Sequence, residues 1–412
     1  MRKAVLCVLM VALSFGLTTT AVAHAELPRP AADAFYRYDG PLAGVAPGTV
    51  LRSRPVTTPL PGTATQVLYR TTDQLRRPAV TAALVVRPNG AGKSGTRIVA
   101  YQQPYDALDS RCNPSYATTI NGVPTVDQAA LAAALTAGYT VVTTDYEGAD
   151  MHFGAGHESG YGTLDGIRAA QRVIKTNPRS TPVAMIGLSG GSIATEFAAE
   201  LAATYAPELN IVGAVVAGLP VNILRMLDYI DGSPSWSKVI PLVLAGTLES
   251  YDYDVNRYLS PYGTAIVKRA RGMCGADLQQ LPVLTMRRML KPQYQNYQHL
   301  SPFVDISKRL TMGTAGTPRF PIMMIAGNSD GIGDGVMVAA DQRSLAHSLC
   351  DRGVAVDYRE LPGVEHTVSG VYALAQAVPF LQARFAGRPP VNNCSSIAPS
   401  APLASLARVT AR

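Results

Sequence analysis

The sequence predicts an α/β fold, a mostly parallel sheet flanked by helices with one helical insertion, and three observations predict it. From Arg97 onward, short apolar segments of strand length alternate with helical stretches, the order that builds parallel strands joined by crossover helices. Ahead of that point, three Val-, Thr- and Leu-rich segments stand between Pro and Gly breaks and read as strands. The alternation then fails once, between Pro220 and about Pro302, where long helical pieces appear and no convincing strand does.

In chain order, the first element is a leader. Arg2 and Lys3 precede an apolar run from Ala4 to Leu17, and Ala21-Val22-Ala23-His24-Ala25 offers small-x-small cleavage sites, so residues 1–25 read as an export signal. Cys7 lies inside the apolar run rather than just after it, which argues against a lipid-anchored form. The run is too short to span a bilayer, and no later stretch reaches the ~18 uninterrupted apolar residues of a membrane helix. A secreted chain with no integral membrane segment is expected.

The early strands are placed at residues 49–56, 65–69 and 79–86. The parallel strands follow at 98–102, 140–145, 183–188, 211–217, 322–326 and 354–361, with helices such as 126–137, closed by Gly138, and 164–175 between them. The core is thus expected at 26–219 and 303–387. The insertion, 220–302, is rich in Tyr and holds Trp236, the only tryptophan. An insertion of that size usually folds over the strand ends, so a cap or lid is expected; the plainer reading is a helical subdomain with no gating role. After Gly387 the chain turns Pro-, Ser- and Ala-rich, and 388–412 is expected to be loosely ordered except where Cys394 ties it down.

Charge excludes little but points away from nucleic acid. The formal net charge is +7, or +5 without Arg2 and Lys3, and the basic residues are scattered apart from Lys268-Arg269-Ala270-Arg271 and Arg287-Arg288. A nucleic-acid role would want a denser stripe on a matching motif, and both clusters read as solvated helix faces. Four cysteines survive cleavage: Cys112, Cys274, Cys350 and Cys394. An even number in an exported chain favours two disulfides, with three connectivities open. Their spacing does not suit a metal site. His152, His157 and Glu158 lack the spacing of a helical ligand pair, and their Gly-rich surroundings read as a loop, so no metal is assigned there.

The chemistry centres on Ser189. Strand 183–188 runs into Gly187-Leu188-Ser189-Gly190-Gly191, and an Ala-rich helix, 192–205, follows. That is the strand, sharp turn, helix context of a nucleophile elbow, in which strand and helix pass so closely that flanking residues must be small. The rival reading, a phosphate-binding turn, lacks the P-loop lysine. This context marks the α/β-hydrolase fold.

Serine needs a base, with partners in the order Ser, Asp or Glu, His. His347 falls on a helix at 338–349 and reads as a surface or packing residue, whereas His366 follows strand 354–361 in the loop Pro362-Gly363-Val364-Glu365-His366, where a base can reach over the sheet. The acid belongs in the loop after strand 322–326, Gly327-Asn328-Ser329-Asp330 and then Gly333-Asp334. Asp330 is the first choice because it stands close to where the strand leaves the sheet. Asp334 is the reserve, its place between Gly333 and Gly335 suiting a helix N-cap near Val336.

Taken with Tyr101-Gln102, Pro104-Tyr105-Asp106, Cys112-Asn113-Pro114-Ser115 and Asp145-Tyr146-Glu147-Gly148, the Gly187 to Gly191 elbow and the Asp330 to His366 segment resemble the secretory lipase family, the lipase A type of fungal and bacterial lipases. The likeness covers the chain from about Asp33 to Cys394. It implies a Ser189, Asp330, His366 triad and an oxyanion hole of Asp106 with the Gly190 N–H. It also implies a helical cap over the acyl site and disulfides Cys112 to Cys274 and Cys350 to Cys394. Asp109-Ser110 offers a second candidate for the Asp106 position, and the short segment after His366 implies a reduced flap.

The residues support the same oxyanion reading, since Asp106 lies in the loop after an early strand. A carboxylate repels an oxyanion, so Asp106 must be protonated or act through its backbone; otherwise it only caps a loop. The expected activity is hydrolysis of carboxylic esters, acylglycerols foremost, through an acyl-enzyme without metal or organic cofactor. A polyester or aryl esterase or a peptidase could use the same triad, and a hydrolase-like binding protein without turnover is the rival from outside enzymes.

Overall fold

The computed structural model describes residues 27–90 and 95–406, so the expected leader lies outside the described residues. Among them, nine strands form one sheet: β1 Val50–Val56, β2 Gly62–Thr72, β3 Pro78–Pro88, β4 Ile98–Gln102, β5 Thr140–Thr144, β6 Val183–Leu188, β7 Ile211–Ala217, β8 Ile322–Asn328 and β9 Val356–Pro362. Their order is β1-β2-β3-β5-β4-β6-β7-β8-β9. The pairs β1–β2, β2–β3 and β3–β5 are antiparallel, and every pair from β5–β4 to β8–β9 is parallel.

Strands β4, β5 and β6 are buried along their whole length, which is why they read as unbroken apolar runs. Their residues alternate between two cores. Val183 and Met185 pack with Leu164, Ile167 and Phe197 from the helices Gly156–Ile174 and Gly190–Tyr205. Ala184 and Ile186 face the other side, with Leu131 and Leu135 of Thr125–Thr136 and Ala373, Ala377 and Leu381 of His366–Phe385.

One helix differs from expectation. It starts at Gly156, not near Leu164, so His157 and Glu158 sit on a helix rather than in a loop. The glycines that suggested a loop are required by close packing: a Cβ on Gly160 would come 2.8 Å from the Phe197 carbonyl carbon, and one on Gly166 2.4 Å from Thr144 Cγ2. Glu158 is committed to His152 Nδ1 at 2.9 Å and to the Gln74 N–H at 3.2 Å.

Between β7 and β8 the described chain forms helices Ile223–Ile230, Ile240–Glu249, Pro261–Ala270 and Phe303–Arg309, so the helical stretch runs seven residues past the expected end at 302. They bury their own apolar core, with Leu224, Ile230, Leu242, Leu244, Leu284 and Met289 fully enclosed. Disulfide Cys112–Cys274 joins this insertion to the loop after β4, and Cys350–Cys394 ties the C-terminal segment to the Ala339–Asp351 helix.

That segment is also held where loose order was expected. The Asn393 N–H donates to the Val356 carbonyl at 2.9 Å, His347 Nε2 lies 3.0 Å from the Ala398 carbonyl, and Asn222 Nδ2 donates to the Leu406 carbonyl at 3.0 Å. Apolar side chains of the segment add to these polar contacts: Ile397 and Leu406 are buried in the same core as Val183 and Met185, with Leu403 packed against it. No described helix is long and apolar enough to cross a membrane.

Candidate active site

Ser189 sits between β6 and the Gly190–Tyr205 helix at φ 50° and ψ −122°, a left-handed backbone that a serine adopts only when its surroundings impose it. Neighbouring glycines allow the turn. A Cβ on Gly187 would lie 2.1 Å from the Gly191 carbonyl oxygen, and one on Gly191 2.0 Å from that of Gln102. The Ser189 N–H donates to the Ala217 carbonyl at 2.9 Å, which fixes the turn to β7.

The Ser189 hydroxyl lies 2.8 Å from His366 Nε2. His366 is the first residue of the His366–Phe385 helix, not a loop residue, and Glu365 caps that helix by accepting from the Thr367 and Val368 N–H groups. The ring is buried, and Gly218 leaves room for it: a Cβ there would come 2.5 Å from His366 Cε1.

The carboxylate beside His366 is Asp334, and the expectation for Asp330 is corrected. His366 Nδ1 is 2.8 Å from Asp334 Oδ2, while Asp334 Oδ1 accepts from the Val336 and Met337 N–H groups at 3.0 and 2.7 Å. An acceptor-only carboxylate requires the Nδ1 proton, so Nε2 is left to accept from Ser189. Asp330 is exposed and turned away: Oδ1 accepts from the Ile332 and Gly333 N–H groups, both at 2.8 Å, and Oδ2 from the Tyr229 hydroxyl. The cause is the path of the turn. It folds back through Gly331 and Gly335, at φ 85° and 97°, and its backbone bonds to His366 through the His366 N–H and the Asp334 carbonyl at 3.0 Å. The N-cap expectation for Asp334 is half right: it holds two N–H groups, but the helix begins only at Ala339.

Asp106 faces the same space. It has φ 33°, its Oδ1 has no hydrogen-bond partner, and a Cβ on Gly190 would meet that oxygen at 1.9 Å. Burial pushes its carboxyl up to about 6, with the charge on His366 pulling the other way. The alternative, Asp109, instead caps the Ser110–Cys112 turn and pairs with Arg111. Burial works against charge on His366, but Asp334, then Asp106 and Glu365, outweigh it and leave its pKa above the ordinary histidine value.

Over Ser189 and Gly190 lies a small apolar cavity lined by Phe153, Ile193, Ile223, Met226, Trp236, Val336 and Met337, with Asp106 at its base. Ile223, Met226 and Trp236 come from the insertion. The Trp236 ring stands edge-on to His366, centroids 5.1 Å apart. The sequence singles out Trp236 as the lone tryptophan but carries no signal of this contact, nor of Phe153.

Comparison with known proteins identifies the family of the chain. A family model described as secretory lipase matches residues 114–393. Lipase A of Arthroderma benhamiae is 31% identical over 386 residues, covering 87% of this chain and 80% of that protein. A probable inactive lipase of Mycobacterium tuberculosis is 31% identical over 396 residues, covering 89% of this chain and 86% of that protein. Among solved structures, Candida antarctica lipase A in its closed state is similar with a TM-score of 0.81 and 28% identity, over 93% of this chain and 95% of that one.

Proposed function

Because this chain belongs to the secretory lipase family, a family of carboxylic ester hydrolases, we propose that it cleaves acylglycerols or related lipid esters through an acyl-enzyme on Ser189. The observation that carries this reading is the hydrogen-bonded series Ser189 Oγ, His366 Nε2, His366 Nδ1, Asp334 Oδ2, each link 2.8 Å, beneath an apolar cavity.

Ser189 Oγ attacks the ester carbonyl carbon and gives its proton to His366 Nε2. The oxyanion forms against the Gly190 N–H and a protonated Asp106 carboxyl. Collapse expels the alcohol, which takes the proton from Nε2, and a water then repeats the sequence to release the acid and free Ser189. Asp334 keeps the imidazole in the useful tautomer throughout. The insertion acts as a cap whose Ile223, Met226 and Trp236 receive the acyl chain, and the chain works outside the cell after loss of its leader.

An apolar lining favours an acyl chain over a peptide. A panel of esters from acetyl to long acyl, with peptide substrates beside it, tests the reading when run on the native protein and on Ser189→Ala. Ester turnover that survives Ser189→Ala removes the acyl-enzyme. No turnover of any ester by the native protein would favour a binding role, a reading prompted by the relative named as a probable inactive lipase.

A further inference from the structure

The turn that carries Asp334 has little shape of its own. Residues 330–335 read Asp-Gly-Ile-Gly-Asp-Gly, and three glycines in six residues make fixing the segment entropically costly. Yet Asp334 Oδ2 has to stay within hydrogen-bond reach of His366. Asp330 closes the near side of the turn by accepting two of its N–H groups through Oδ1. Its other oxygen accepts the Tyr229 hydroxyl at 2.8 Å, and that hydroxyl in turn accepts the Gly335 N–H at 3.0 Å. One oxygen therefore holds the turn on both sides of Asp334. The Tyr229 ring also stands against Gly333, where a Cβ would lie 3.1 Å from Tyr229 Cε1. Tyr229 belongs to the Ile223–Ile230 helix, which lines the cavity above Ser189 through Ile223 and Met226.

We propose that Tyr229 and Asp330 are a positioning pair for ester hydrolysis: the Tyr229 hydroxyl, bonded to Asp330 and to the Gly335 N–H, holds Asp334 against His366 and couples that turn to the helical insertion. The proposal rests on the Ser189, His366, Asp334 reading. Neither residue lines the cavity, so their loss acts through imidazole orientation, on kcat rather than on substrate binding. Tyr229→Phe keeps the ring against Gly333 and removes only the hydroxyl.

The test compares native protein, Ser189→Ala, Tyr229→Phe, Asp330→Ala and Asp330→Asn on a soluble acetyl ester. Alongside, the downfield proton resonance of His366 Nδ1 is followed by NMR and assigned by its loss in Asp334→Ala. Tyr229→Phe and Asp330→Ala should each lower kcat about tenfold with KM within about twofold, and should shift or broaden the Nδ1 proton. Asp330→Asn should recover most of the activity, since its amide oxygen still accepts the turn's N–H groups. Unchanged kcat and an unchanged Nδ1 proton in both variants overturn the pair and leave Ser189 in place. So does a rise in KM at constant kcat. Equal loss in Asp330→Asn and Asp330→Ala overturns the part given to Asp330, whereas activity surviving in Ser189→Ala overturns the underlying reading instead.

Discussion

With Nε2 facing Ser189, the His366 imidazole can take the serine proton only in the tautomer that leaves Nε2 free, and the contact from Asp334 Oδ2 to His366 Nδ1 selects that tautomer. Asp334→Asn should lower kcat on the order of 10⁴ while the protein still folds, because an amide oxygen can keep the Val336 and Met337 N–H groups. Steady-state kinetics on a soluble ester decide it; a loss below about tenfold removes Asp334 from the acid's role. Asp106 bears on pH. As the proposed base, His366 must be neutral to act, so kcat/KM should fall as pH drops through a value above the ordinary ~6.5. Asp106 must be protonated to donate, and its carboxyl, raised by burial to about 6, loses that proton as pH rises. The two requirements overlap only partly. Asp106→Asn, a permanent donor, should therefore raise kcat/KM several-fold near pH 8, whereas Asp106→Ala should lower it roughly 10²- to 10³-fold near pH 6. Equal losses in the two variants would exclude the side chain from the oxyanion hole.

Packing of whole helices yields a paired test of opposite sign. The Ile240–Glu249 helix rests backbone on backbone against the loop before Gly156: a Cβ on Gly246 would lie 2.2 Å from the Phe153 carbonyl oxygen and 2.4 Å from its nitrogen. Neither atom can yield, so Gly246→Ala should destabilise by roughly 1–3 kcal/mol and displace Phe153 from the cavity wall. Gly370, inside the His366–Phe385 helix, has nothing within 4 Å of its Cβ position, and Gly370→Ala should stabilise by about 0.5–1 kcal/mol. Thermal melts of the two variants should move in opposite directions; a rise in both would mean that the Phe153 contact gives way without strain, and a fall in both that Gly370 is not free to carry a Cβ. The same packing explains what was legible in the sequence. Strand runs and the Gly187 to Gly191 elbow are local patterns set by burial on both faces and by one close crossing, so they could be placed to within a few residues. The helix start at Gly156 was hidden because its glycines answer to Phe197 and Thr144, which are distant in sequence. Asp330 and Asp334 could not be ranked correctly because the choice depends on how a glycine-rich turn reverses. The disulfide pairing came from family resemblance, as spacing left three connectivities open.

Across the whole molecule, buried carboxyls set the response to pH. Burial pushes Asp127 up to about 6 and Asp145 to about 7, and it raises Glu147, Glu196 and Glu200 as well. Both oxygens of Glu196 lack hydrogen-bond partners. Each acid holds its proton longer folded than unfolded, so the folded state binds more protons from about pH 4 upward, and stability falls as pH rises through the folded values. His366, raised, adds to this trend, and His157, lowered to about 4 first by burial and then by Arg76 and Arg309, opposes it below its unfolded value. The carboxyls are more numerous, so the melting temperature should fall by several degrees between about pH 5 and pH 8. Calorimetry showing a rise over that range would mean these acids ionise freely in the fold. The bond between Cys112 and Cys274 has a different consequence. It closes a covalent ring that contains Ser189, Tyr229, Trp236 and the exposed basic run at Lys268, Arg269 and Arg271. Trypsin cutting once after Arg271 therefore opens the backbone without parting the molecule. The nicked protein should migrate as two fragments on a reducing gel and as one band on a non-reducing gel, with every group around the cavity still carried on a single covalent body.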